Sequence, residues 1–230
     1  MGTILAQTIL DSAATLLQDT GYARWLAPEM LGYLNEGQRE AVLVKPSAYV
    51  VVGPLVTVAG TKQTLPDDAI ALIDVTRNMG TDGATPGRVI RAIGRQLLDN
   101  INPNWHAATA SATTKHFVHN ALVPKVWYAY PPQPAADRGQ VEVAYSASPP
   151  DVAAAGDPIT LDDAYAPALG YYVLYRAYNR DAEYAGNAQE AARYYSLFMG
   201  LLGAKKAGEA EANPAQATAP RDPMNPGSDK

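Results

Sequence analysis

The chain has 230 residues, 47% of them apolar, with a formal charge of -5 and a pI near 5.2, enough to bury a core as one domain or two small ones. The acidic balance argues against bulk attraction to nucleic acid or an anionic membrane, and the lack of cysteine excludes disulfides, thiolate zinc sites and a cysteine nucleophile. The opening stretch has no basic segment or apolar core of a secretion signal, and no run approaches the ~20 apolar residues of a membrane span, so a cytosolic product is expected.

Residues 1–46 carry two helical patterns. Leu5, Ile9, Ala13 and Leu16 recur at steps of three and four, with Asp11, Ser12, Gln18 and Asp19 opposite, and Gly21 is the expected stop. A second helix is expected to open with Pro28 in its first turn, to present Met30, Leu34, Ala41 and Val44, and to stop before Pro46. The two read as an antiparallel pair.

From residue 47 to 150 the period changes and a small β subdomain is predicted. AYVVVGPLVTVAG reads as two β-branched runs broken by Gly53 and Pro54, and AIALIDVTRN as a strand reached through LPDD. TDGATPG is a loop, and RVIRAIGRQLLDNINPNW begins as a strand and closes as a short helical turn before Pro103. HAATASATTK reads as a loop with little to anchor it. KVWYAYPP and QVEVAYSASPP are late strands, each stopped by a proline pair.

Residues 151–203 form the closing helical pair. Asp162 and Asp163 occupy the N-cap and first-turn positions, and Pro167 fits only near a helix start. Tyr171, Leu174, Tyr175, Tyr178, Ala182 and Ala185 make one stripe, with Arg176, Asn179, Arg180 and Glu183 opposite. Gly186 breaks the run, and Asn187 with Glu190 has capping-box spacing. The next helix is apolar over more than half its circumference through Ala191, Tyr194, Tyr195, Leu197, Phe198, Leu201 and Leu202, and Gly203 is the expected C-cap, followed by Lys205 and Lys206. A helix that meets one neighbour needs a stripe of roughly 100°, so this breadth asks for a second surface. Tyrosine suits interfaces because it buries a large ring and keeps a hydroxyl for the rim. Tyr171, Tyr175, Tyr194 and Tyr195 are therefore candidates for subunit contacts, against the plainer reading that they pack within one subunit.

Residues 204–230 have no aromatic or branched aliphatic residue and four prolines. Such a segment cannot exclude enough water to fold alone, and a solvated tail is the plain reading. Fully extended it reaches roughly 90 Å, far enough to engage a groove on a partner. As an arm its best anchors are Met224 and Arg221, with Pro214, Pro220, Pro223, Asn225 and Pro226 around them.

Catalytic or metal chemistry is hard to assemble, and no cofactor or metal is expected. His106 stands apart; His116 and His119 sit in an extended segment with no acid beside them to complete a metal set. Asp67-Asp68 and Asp162-Asp163 are adjacent pairs whose side chains diverge, and turns or caps account for both. Gly80, Gly83 and Gly87 lack the Lys-Ser/Thr of a phosphate loop, and no nucleophile-elbow or metalloprotease motif occurs. Arg77, Arg88, Arg91 and Arg95 read as a solvated or ion-paired face before they read as a nucleic-acid path.

The stretches LNEGQREAV, LPDDAIALIDVTRN, RQLLDNINPNW, VWYAYPPQP, VEVAYSASPPDV and ITLDDAYAPALGYYVLYRAYNRDAEYAGNAQEAARYYSLFMGLLG, in that order from about Ala27 to Gly203, resemble a group of tailed-phage head-to-tail adaptor (connector) proteins. The resemblance implies an α+β subunit: an antiparallel helical bundle from the terminal helices, a central small β subdomain and an extended C-terminal arm. It also implies a usually twelvefold homo-oligomeric ring in the virion neck, made in the host cytoplasm. The arm binds the portal protein ring, the other end receives the tail tube or nozzle protein, and double-stranded DNA passes through the lumen unbound. A negative subunit suits such a channel, since gripping phosphates would slow passage. No membrane partner and no enzymatic activity are expected. A tail-completion or stopper protein of the neck is the nearest alternative; a small helical enzyme with a β insertion is the alternative of another class.

Overall fold

The computed structural model describes residues 2–180 and 185–212, and the fold is mixed α+β. In chain order the helices are α1 (Ala6–Leu16), α2 (Ala27–Val44), α3 (Arg95–Ile101), α4 (Ala166–Arg180) and α5 (Ala185–Ala212). The strands are β1 (Val50–Val56), β2 (Gly60–Thr64), β3 (Ala69–Asn78), β4 (Arg91–Ala92), β5 (His116–His119), β6 (Val126–Gln133) and β7 (Gln140–Ala147). Two compact units divide the chain within α2: a helical unit of Thr3–Gly37, Val152–Ile159 and the described residues from Asp163 on, and a β-rich unit built mainly from Gln38–Asp151.

In the helical unit α4 is the neighbour of both α1 and α5. The first helix buries Ala6, Ile9, Leu10, Ala13 and Ala14, so its apolar stripe is rotated from the expected one, and Leu5 and Leu16 are exposed. It has no side-chain N-cap; the N–H groups of Ala6 and Gln7 donate to the carbonyls of Asp157 and Ala155. Its end comes at Leu16, before the expected Gly21. Gln18 takes the left-handed conformation at φ 57°, and the Asp19 carboxylate accepts N–H bonds from Ala23, Arg24 and Trp25, so a local polar anchor does the work expected of glycine.

Asp163 stands in the first turn of the short helix that leads into α4, as expected, and it has a further role. Asp163 accepts the backbone N–H and the hydroxyl of Thr3, both at 2.6 Å, and the N–H of Ile4 at 2.9 Å, tying the N-terminal segment to the start of α4. Within α2, Gly37 is required by packing: a Cβ there would stand 2.9 Å from the Tyr172 ring. The long last helix corrects two boundaries. It begins at Ala185 with Gly186 in its first turn, and it runs through Gly203 to Ala212, so residues 204–212 are helical. Leu202 is buried, and the Lys205 ammonium lies 3.9 Å from the Tyr165 ring centroid; packing on both sides of Gly203 carries the helix across a residue that would end a solitary one.

In the β-rich unit a three-stranded sheet, order β1-β7-β3, faces a four-stranded one, order β2-β6-β5-β4. Between them lie Leu72, Val75, Phe117, Trp127, Val141 and Val143. On the other face of the four-stranded sheet, Leu98 of α3 and Trp105 pack on Val118, Tyr128 and Tyr130, as the alternation along β6 requires. Prolines mislead here. Pro54 lies inside a single strand, because β1 is an edge and needs no N–H on its free side. Likewise β6 passes through Pro131 and Pro132, with a cis Tyr130-Pro131 bond, where the register of β2 shifts between Gly60 and Lys62. The segment expected to lack an anchor has one: Thr114, fully buried, donates its N–H to Asn78 Oδ1 and accepts a bond from Gln133 Nε2, while the Ser111 N–H donates to the Pro132 carbonyl.

Candidate assembly interface

The α4–α5 hairpin carries the densest aromatic group. Tyr172 and Phe198 form its buried centre, ring centroids 5.1 Å apart. Around them Tyr175 meets Tyr195 at 4.9 Å, Tyr171 meets Tyr194 at 6.0 Å, and Tyr178 stacks on Tyr194 at 5.7 Å with the planes only 8° apart. Tyr171, Tyr175, Tyr194 and Tyr195, the four rings expected to serve contacts between subunits, are thus brought together, and each is half-buried. They pair within one chain. Tyr172 is the side chain that periodicity alone missed; the helix-weakening Gly37 opposite it was the available signal.

Charged groups frame this surface. Arg176 pairs with Glu36 and lies 5.2 Å over the Tyr33 ring, while Arg180 pairs with Glu29. The Tyr33 hydroxyl donates to Glu29 at 2.6 Å; burial first, and then the Glu29 carboxylate, push that hydroxyl up to about 12, so it stays a neutral donor. Burial also raises Tyr194, with Tyr178 adding to it. At the start of α4 the Thr3 hydroxyl, followed by the Ile4 and Thr3 N–H groups, holds Asp163 below the usual carboxylate range.

The chemical candidates elsewhere are engaged structurally. His106 stacks on Trp105 at 3.6 Å and meets the Thr61 hydroxyl at 2.8 Å; His119 Nδ1 lies 3.1 Å from the Val126 carbonyl, and His116 stacks on Tyr130. Asp82 accepts the N–H groups of Ala84 and Thr85 and the Thr85 hydroxyl, closing the turn that holds Gly80 and Gly83 at positive φ. Arg77 pairs with Glu142 and Arg95 with Asp99, while Arg88 and Arg91 are exposed. Among the described residues no group of three or more His, Cys, Asp and Glu gathers, and no helix is long and apolar enough to cross a membrane. The arm candidates Pro214, Pro220, Arg221, Pro223, Met224, Asn225 and Pro226 lie outside the described residues.

The described residues thus form a mixed α+β chain whose densest aromatic group lies between α4 and α5. The family model for the SU10 adaptor protein matches residues 5–222. The chain belongs to that family, one of phage adaptors, which are structural proteins that associate with other head and tail proteins. Among curated proteins none matches the chain.

Proposed function

We propose that the chain is a head-to-tail adaptor of a tailed phage, forming a homo-oligomeric ring, twelvefold in the usual architecture, below the portal protein ring. In this reading it receives the tail tube or nozzle protein at its other end and lets double-stranded DNA pass through the lumen without specific binding. The observation that carries the reading is the family match across nearly the whole chain. The subunit's negative charge supports it, because a lumen that attracted phosphates would retard DNA. Tyr171, Tyr175, Tyr194 and Tyr195 contribute to contacts between neighbouring subunits.

The C-terminal segment is the portal-binding arm, reaching from the end of α5 with Pro214, Pro220, Arg221, Pro223, Met224, Asn225 and Pro226 as its anchors. In the β-rich unit, Leu122 and Val123 stand exposed at the tip of the β5–β6 hairpin, and Leu97 and Ile101 on α3; this apolar tip is the surface offered to the distal tail component. The test is truncation after Ala212. The truncated chain keeps its helical circular dichroism and loses capture by purified portal rings; capture at the full-length level rejects the arm.

A further inference from the structure

Where α3 meets β5 and β6, the β-rich unit has a hollow of about 430 Å3, walled by Arg95, Val118, His119, Asn120, Val123 and Tyr128. Its polar groups are held in place. His119 Nδ1 lies 3.1 Å from the Val126 carbonyl, which can only accept, so that nitrogen donates and fixes the ring. The Asn120 side-chain oxygen accepts the Leu122 N–H at 3.0 Å, and its backbone carbonyl accepts the Val123 N–H at 2.8 Å, which leaves the amide nitrogen as a donor. Tyr128 is braced edge to face by Trp105 at 6.1 Å. No carboxylate stands in the wall.

Arg95 is the permanent charge of the wall. Its Nε is 3.4 Å from Asp99, too long for a well-formed hydrogen bond, and 75% of the side chain is exposed. An exposed pair one helical turn apart is weak, so the guanidinium can turn to a better acceptor. The segment that builds the hollow is also a basic part of an acidic chain: over residues 88–125 the cations are Arg88, Arg91, Arg95, Lys115 and Lys125, and the only acid is Asp99. Apolar side chains stand beside these charges. Val123 is 49% exposed, and Leu122 next to it is 89% exposed, the most open large apolar side chain among the described residues.

We infer that the hollow receives the carboxylate of an aspartate or glutamate from a tail protein, presented between apolar residues that cover Leu122 and Val123. The inference rests on the reading of this tip as the distal docking surface and supplies the chemistry of what docks there. A planar guanidinium beside an amide donor matches a carboxylate, and no acid in the wall repels one. Leu122 and Val123 decide between anionic partners. A DNA backbone would meet Arg88, Arg91 and Lys115, all exposed, but would leave Leu122 uncovered, because such interfaces are polar and made largely of phosphate contacts. An anionic membrane would cover Leu122 but would repel a chain of charge -5, and it has no use for a hollow of fixed donors. The family's association with other head and tail proteins agrees with a protein partner.

The probes are labelled overlapping peptides that span the tail proteins of the same phage, titrated with the full-length chain by fluorescence anisotropy. At least one bound peptide is expected to carry Asp or Glu between apolar residues. Changing that acid to its amide, or Arg95→Gln in the chain, is expected to weaken binding about tenfold, and the two changes together no further. Arg138→Gln, at an exposed position in another loop, should leave the affinity unchanged. Binding indifferent to both changes, or no bound peptide, overturns the inference; if Leu122→Asp still abolishes capture of whole tails, the docking reading stands without it. If the Leu122→Asp chain captures whole tails at the unaltered level, that reading falls and the inference with it. Binding of a DNA duplex or of phosphatidylglycerol vesicles that Arg95→Gln weakens about tenfold assigns the hollow to nucleic acid or to membrane and also overturns it.

Discussion

Three glycines of the β-rich unit and three of α5 stand in opposite situations. A Cβ at Gly139 would lie 2.2 Å from the Ala112 carbonyl oxygen, one at Gly83 would lie 2.4 Å from Gln140 Oε1, and one at Gly87 would lie 3.2 Å from the Asn78 carbonyl oxygen. In α5, Gly200, Gly203 and Gly208 meet nothing. Those three glycines let the β-rich unit close on itself, although Gly53, Gly60 and Gly94 of the same unit are open, and two of its buried polar side chains pair internally: Gln133 donates to Ser111 and Thr114 and accepts from Thr57, and Asn78 bonds Arg88 and Thr114. The helical unit closes one side of α5 and leaves the other unfilled. The lesson is that a glycine pressed by a neighbour is required by the chain's own packing, whereas an open one is not.

The largest expected effect tests the closed side of α5. Phe198→Ala removes a fully buried ring that touches Tyr172 and Tyr195, and should cost about 3–5 kcal/mol by chemical denaturation; a loss under about 1 kcal/mol would mean that α5 is loosely held and the contrast between its faces is false. Gly139→Ala comes next, at about 1–3 kcal/mol, because the obstacle is backbone and cannot rotate away. The same size, about 1–3 kcal/mol, applies to Gln133→Leu, which leaves the Thr114 hydroxyl and the Ser111 carbonyl short of a partner, while Thr57 keeps the Gly139 carbonyl.

Acid should separate the units further. Asp11, Asp19 and Asp163 in the helical unit are all held below the ordinary carboxylate value, by Tyr22, by the Trp25 N–H and by Thr3 respectively as the leading causes, whereas Asp82 is the corresponding group in the β-rich unit. A depressed folded-state value stabilises the fold above the unfolded value of 3.8 and loses that contribution as pH falls through the lower folded value. Helical circular dichroism should therefore decline as the pH drops below about 4. Asp163→Asn should flatten part of that decline; an unchanged acid profile would show that the Thr3 and Ile4 bonds contribute nothing to stability.

What the sequence made legible follows the same division. Mixed α+β class, helices at both ends, strands over AIALIDVTRN and QVEVAYSA and the short helix at RQLLDNI were readable because period and turn residues act locally. Pro54 inside β1, and Pro131 and Pro132 inside β6, were misread as strand ends, since only sheet order tells whether a strand is an edge or lies opposite a register shift. The anchoring of HAATASATTK was invisible because Thr114 finds Asn78 36 residues away. Gly203 was misread as a cap for a reason of the same kind: its flanks pack on distant residues, Lys205 on Tyr165 among them. The tyrosines were legible as stripes, because spacing sets which face of a helix each ring occupies; that Tyr175 meets Tyr195 and Tyr171 meets Tyr194 was not, because those pairs form between α4 and α5.

The smallest expected effect is the most informative, because its sign changes with the state of the protein. Gly200→Ala gives the exposed face of α5 a better helix former with open space for the methyl group, so the isolated subunit should gain about 0.5–1 kcal/mol. If a neighbouring subunit packs closely at that position, the same methyl group holds the two apart, and ring formation measured by native mass spectrometry should fall although the subunit is more stable. Gly32→Ala supplies the comparison, since Gly32 is equally open but lies on α2: it should stabilise to a similar degree and leave assembly unchanged. Opposite responses of stability and assembly at Gly200, beside parallel ones at Gly32, would separate a glycine kept for a partner from one that is merely tolerated; equal behaviour at the two positions would remove the distinction between the open and closed faces of α5.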